Sequence, residues 1–356
     1  MAYQKIENIE VVGIAAAVPE HTECNRDCAL IGTSEEREKF IDTTGICRRH
    51  TVGDTGIRTS DMCYEAAEQL IAELCWQKKE IDCLIFVSQT SDYIFPATSC
   101  LLQNRLELPN ACFTLDINLG CSGWIHGMTA ITALMQNGYF KKGLLLVGDT
   151  STLTKSKKDK SVYPLFGDAG TATALRFKEG AKGIRVHTST DGKGGESILI
   201  PDGGFRNMTT PDSFKEQQFE GGIYRTRLDT ILDGAAVFTF GITEAPRSVK
   251  SLRDVFGSEM NSIDYYILHQ ANKMLTEKVR KKINAEIEKT PYSLDEYGNT
   301  SCSSIPLTIV TRLKNEVSEK KCSLLTCGFG VGLSWGSLYL ELDQIKCPDV
   351  ILIKKK

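Results

Sequence analysis

No apolar run in the sequence approaches the roughly 20 residues that cross a bilayer. The first stretch, Met1 to Glu20, interleaves Lys5, Glu7 and Glu10 with apolar residues, so neither a signal peptide nor a membrane anchor is expected. An excess of positive charge is missing too: 42 basic against 45 acidic residues leave a net charge of −3. Without a basic field the chain has no general attraction for nucleic acid or anionic lipid, and neither is expected as a partner. Prolines are few, 10 in 356 residues, and 41% apolar with 24% charged residues is a globular rather than a disordered composition. Although there are 13 cysteines, none are paired as Cys-x-x-Cys and no Cys/His cluster has zinc spacing. Cys24 and Cys28 suit one helical face, but no further pair completes a site, so no metal is expected. Scattered, odd-numbered thiols read as free and point to a reducing, cytoplasmic compartment.

What is present is an alternation of short β-branched or aliphatic runs with longer helical stretches, the pattern of an α/β fold. Strands are expected at Asp82 to Ser88, Phe113 to Ile117, Gly143 to Val147, Tyr265 to Leu268 and Cys322 to Thr326. Helices are expected at Thr59 to Cys75, Cys121 to Gln136, Ser248 to Phe256, Lys273 to Glu286 and Ile305 to Val317. In Cys121 to Gln136 the residues Ile125, Met128, Ile131, Leu134 and Met135 recur at helical spacing, which buries one face. The chain also echoes itself. Ile81-Asp82 before an apolar run returns as Ile263-Asp264, 182 residues on; Leu115-Asp116 returns as Leu294-Asp295, and Lys141-Lys142 as Lys320-Lys321, both 179 residues on. Three matches in one order at nearly one offset indicate a duplicated unit, with halves at 1–180 and 181–356. Between them, Asp191 to Asp229 is rich in glycine and polar residues, an excursion suited either to covering a site or simply to running over the surface.

Three segments carry chemistry. Leu115-Asp-Ile-Asn-Leu-Gly-Cys121-Ser-Gly-Trp124 sets a cysteine between a strand and a helix start. Unpaired amides and the positive end of the helix dipole favour thiolate there, which makes Cys121 a candidate nucleophile. Leu268-His269-Gln270-Ala271-Asn272 sets a histidine at the carboxyl end of a strand, where α/β active sites collect. Tyr297-Gly298-Asn299-Thr300-Ser301 repeats, in the second half, the approach to Cys121. Asp168 and Trp335 read as structural residues, and Gly328-Phe-Gly-Val-Gly332 precedes a strand rather than a helix, which excludes a dinucleotide turn.

In the order Cys, His, Asn these segments resemble the β-ketoacyl-ACP synthase III family of the thiolase superfamily. Supporting pieces are Phe95-Pro-Ala-Thr98, Phe166-Gly-Asp-Ala-Gly-Thr171, Gly298-Asn-Thr-Ser-Cys-Ser-Ser-Ile-Pro306 and Gly328-Phe-Gly-Val-Gly-Leu-Ser-Trp-Gly-Ser337. The resemblance implies a thiolase-like, five-layered αβαβα core of two duplicated halves and a homodimer. It also implies acyl transfer from an acyl-CoA or acyl-ACP to Cys121, followed by decarboxylative Claisen condensation with malonyl-ACP. By that likeness the amides of Cys121 and Val331 form the oxyanion hole, and His269 and Asn299 stabilise the enolate. Phe95, Gly330 and Asn272 then border the substrate pocket, with Phe95 reaching toward the partner subunit. No cofactor is implied, since CoA and acyl-carrier-protein thioesters are substrates.

Two departures stand out. Where relatives that prime from acetyl-CoA carry a tryptophan and an arginine for the nucleotide, Lys39 and Thr43 stand here, and Lys160 keeps one basic contact for CoA or carrier. Val331 occupies a position where several relatives have glycine. A rival reading is an acyltransferase on the same scaffold that moves the Cys121-bound acyl group to a hydroxyl or amine without decarboxylation. A degradative thiolase is disfavoured because Cys327 lies one residue out of register for its second cysteine, and a silent partner subunit because Cys121, His269 and Asn299 are all present.

Overall fold

The computed structural model describes residues 2–260 and 262–354. A six-stranded sheet runs in the order Ile351–Ile353, Ile9–Pro19, Ala169–Phe177, Lys142–Asp149, Cys83–Val87, Phe113–Ile117. A five-stranded sheet runs Ala2–Ile6, Ile184–Thr190, Ser334–Asp343, Lys321–Gly330, Tyr265–Leu268. Central strands such as Cys83–Val87 are buried at every residue, as an apolar run covered on both faces must be.

The covering is helical. Thr59–Glu73 sets Met62, Ala66 and Leu70 against Ala15, Leu84 and Leu144 on the outer face of the six-stranded sheet. Gly123–Met135 and Ser304–Arg312 lie between the sheets, where Ile125, Met128, Ile131, Ile305 and Ile309 join one core with Val147 and Leu338. Gly234–Phe256 and Lys273–Lys282 close the far face around Val249, Leu275 and Phe329. The result is the five-layered αβαβα stack, and the duplication is visible in it. The two central helices begin at Gly123 and Ser304, and their flanking strands begin at Lys142 and Lys321.

The division at residue 180 falls between strands Ala169–Phe177 and Ile184–Thr190, yet both terminal strands cross it. Ala2–Ile6 pairs with Ile184–Thr190 in the second half's sheet, and Ile351–Ile353 pairs with Ile9–Pro19 in the first half's sheet. Each covers an edge that would otherwise present unpaired backbone groups.

Candidate active site

Cys121 follows strand Phe113–Ile117 and precedes the buried helix Gly123–Met135 by two residues. Gly330, at the end of strand Lys321–Gly330, lies against it from the other half. A Cβ on Gly330 would stand 2.7 Å from Cys121 Sγ and 2.6 Å from Cys121 Cβ, so only glycine lets the halves close on the nucleophile. The amides of Val331 and of Cys121 itself donate toward Sγ, the pair anticipated for an oxyanion. The expected thiolate is not what the surroundings favour. Burial and the nearby Asp149 carboxylate push the Cys121 thiol up to about 11, against the two amides and the Lys155 ammonium. The resting group is a thiol because desolvation outweighs the helix terminus.

His269 follows strand Tyr265–Leu268 and is buried, its ring edge-on to Phe329 with centroids 5.6 Å apart. Its Nδ1 lies 2.7 Å from Ser304 Oγ, at the start of the second central helix. A Ser304 hydroxyl donating to Nδ1 leaves the single proton of a neutral imidazole on Nε2, the tautomer that offers a donor to the cavity. Burial lowers the His269 pKa to about 3, so the ring is neutral at physiological pH. Asn299 is clipped to the first half: its amide donates to Leu165 O at 2.9 Å and its carbonyl accepts from Gly167 N at 3.0 Å. Its Oδ1 accepts from Ser301 N at 2.9 Å, which leaves the Nδ2 protons for the cavity it lines.

Two cavities meet at Cys121. One, of about 470 Å³, brings together Cys121, His269, Asn272, Asn299 and Gly330. The other, of about 390 Å³, is bounded by Cys121, Val331, Gln89, Asp149, Lys155 and Phe166. The glycine-rich excursion and the residues just after it border both: Ile198–Leu199 pairs with Ile231–Leu232, and Ile198 and Leu232 line each cavity.

Not every anticipated residue joins this centre. Phe95 is 80% exposed and lines neither cavity of its own chain, because Asp116 holds the amides of Thr98 and Ser99 and the preceding loop turns outward. Lys39 and Lys160 share a separate shallow groove with Phe40, although Ser161, next to Lys160, reaches the larger cavity. Asn272 borders that cavity while its Oδ1 caps helix Lys273–Lys282 at Leu275 N, 2.9 Å away. Asp168 is buried and accepts from Val52 N, Thr152 N and Thr152 Oγ1, and Trp335 packs on Phe240, so both are structural. Sequence reading missed Ser304, although it lies inside the quoted Gly298 to Pro306 segment. It also missed Asp149 and Lys155, the latter hidden among Lys157, Lys158 and Lys160 in what looks like a solvated run.

Comparison with known proteins agrees with this geometry. The family model described as 3-Oxoacyl-[acyl-carrier-protein (ACP)] synthase III matches residues 115–192, and its C-terminal counterpart matches residues 255–342. The chain is 30% identical over 344 residues to a beta-ketoacyl-[acyl-carrier-protein] synthase III of Streptococcus pneumoniae serotype 19F, covering 96% of this chain and 100% of that protein. It is 29% identical over 337 residues to the enzyme of that name from Lactococcus lactis subsp. cremoris, covering 94% of this chain and 99% of the relative. The crystal structure of a 3-oxoacyl-(acyl-carrier protein) synthase from Burkholderia xenovorans LB400 superposes with a TM-score of 0.92, at 35% identity and 99% coverage of both chains.

Proposed function

The chain belongs to the β-ketoacyl-ACP synthase III family, a group of condensing transferases, and from that premise we propose a two-stage reaction centred on Cys121. An acyl-CoA or acyl-ACP thioester enters on the His269 side. Cys121 Sγ attacks its carbonyl carbon, the oxyanion is held by the Cys121 and Val331 amides, and the departing carrier sulfur takes the proton that Sγ gives up. Malonyl-ACP then occupies the same side. His269 Nε2–H and Asn299 Nδ2–H donate to its thioester carbonyl, carbon dioxide leaves, and the enolate carbon attacks the acyl-Cys121 carbonyl. Cys121 departs as thiolate and is reprotonated, and the β-ketoacyl thioester is released on the carrier.

The observation that carries this reading is the convergence of Cys121, His269 and Asn299 on one cavity, with both enolate donors uncharged and supported from behind. A carboxylate in either place would oppose the charge that decarboxylation develops. We further propose a homodimer formed at the free edge of the six-stranded sheet, and a cytosolic setting that keeps the thiols reduced. Lys39 and Lys160 would meet CoA or the carrier in the shallow groove they share. Incubation with acyl-CoAs and acyl-ACPs, followed by intact-protein mass spectrometry and a malonyl-ACP chase, tests the scheme. An acyl adduct absent from Cys121→Ala and discharged as a β-ketoacyl product supports it, and an adduct that malonyl-ACP does not discharge contradicts it in favour of plain acyl transfer.

A further inference from the structure

The smaller cavity holds a lysine with, among the described residues, no carboxylate in direct contact, although Asp149 borders the same cavity. Lys155 Nζ donates to Thr154 Oγ1 at 2.8 Å and lies 4.2 Å from the Phe166 ring centroid, and among the described residues the acids act on it through space rather than by a direct ion pair. An ammonium has three donors, so two remain without a protein acceptor.

The nearby acids are already satisfied elsewhere. Asp149 Oδ1 accepts from Ser88 Oγ at 2.9 Å, Gln89 N at 2.8 Å and Thr90 Oγ1 at 3.1 Å, while its Oδ2 lies 3.1 Å from Cys302 Sγ. Asp168 faces Val52 N and Thr152. Burial pulls the Lys155 pKa down to about 8, and the Asp149 and Asp168 carboxylates oppose this only at a distance. A positive group with spare donors in a partly apolar chamber calls for an anion that arrives with the substrate. Ile198, Leu232 and Phe166 can hold methylenes between that group and Cys121.

We propose that Lys155 selects acyl donors bearing a second, distal carboxylate, so that the enzyme loads a dicarboxylic half-thioester onto Cys121. This rests on the acyl-transfer reading above and names the substrate class for its first stage. The bond chemistry is unchanged: Sγ displaces the carrier thiol, which leaves with the Sγ proton, and the distal carboxylate remains bound to Lys155.

The test compares isosteric donors, glutaryl-CoA against 5-methylhexanoyl-CoA and adipyl-CoA against 6-methylheptanoyl-CoA, by the single-turnover rate of Cys121 acylation. Wild-type protein should favour each dicarboxylic donor by at least about tenfold, because a chamber built to pair a polar group rejects the analogue that lacks it. Lys155→Met should invert that ratio, Lys155→Gln should do so in part, and Lys155→Arg should keep a preference for the anion. Two polar-to-neutral variants guard against one that fails to fold. A wild-type preference for the branched apolar donors, or an unchanged ratio in folded Lys155→Met and Lys155→Gln, would overturn the assignment while leaving acyl transfer intact. No Cys121 adduct from any of the four donors, nor from straight-chain acyl-CoAs and acyl-ACPs, would overturn both readings.

Discussion

At Cys121 two opposing influences act on one sulfur. The helix start and the Val331 amide favour the thiolate, yet burial and Asp149 prevail and hold the thiol near 11. The free enzyme should therefore be slow toward small alkylating agents at neutral pH. Below its pKa the thiolate fraction rises about tenfold per pH unit, so the iodoacetamide rate at Cys121 should keep climbing from pH 7 to 10. A plateau near 8.5, the ordinary thiol value, would contradict that account. The acylation step must then supply its own stabilisation through the oxyanion contacts. That is consistent with amides aimed at the sulfur and with a glycine, Gly330, as the only residue tolerated beside it.

At the level of elements, each central helix presents one functional group at its N-terminal end. Gly123–Met135 follows Cys121, and Ser304–Arg312 begins at the serine that faces His269 Nδ1. In the proposed reaction Ser304 would act through His269, so Ser304→Ala should lower malonyl decarboxylation by about ten- to a hundredfold while Cys121 still acylates, and Ser304→Thr should restore much of the loss. Equal loss in both half-reactions would mean that Ser304 merely holds the fold. Much of this arrangement is legible in sequence. Apolar runs such as Cys83–Val87 and the periodic face of Gly123–Met135 are strong local signals, and Cys121, His269 and Asn299 sit at strand ends and turns that the repeat marks. What local pattern could not give is tertiary. Helix Gly234–Phe256 extends well before the expected Ser248, because Gly241 and Pro246 read as breakers while packing on Phe329 and Leu275 overrides them. The expected helix Ile305 to Val317 breaks at Leu313, whose φ of −126 ends one helix before Lys314–Glu319 begins. Lys155 looks solvated in sequence, and what draws it into the cavity is tertiary: Phe166 against its ammonium, with Ile198, Leu199 and Leu232 lining the same chamber.

For the whole molecule, strand Phe113–Ile117 forms an open edge of the six-stranded sheet, with Phe113 38% and Leu115 39% exposed. Beside it the Tyr93-Ile94-Phe95 loop is also exposed, Phe95 most of all. Pairing two such edges would cover the backbone donors and the apolar side chains together and carry Phe95 to a neighbouring chain. Sedimentation should therefore give a dimer, and Leu115→Lys should weaken it by at least about tenfold. A wild-type monomer at micromolar concentration would refute the interface. In the proposed reaction the two halves divide the chemistry: the first would hold the acyl group on Cys121, and the second would make the enolate with His269 and Asn299. The most direct measurement is intact-protein mass spectrometry of His269→Ala and Asn299→Ala after acyl donor and then malonyl-ACP. Both variants should carry the acyl adduct on Cys121 and fail to discharge it into a β-ketoacyl product; loss of the adduct itself in both would contradict the division.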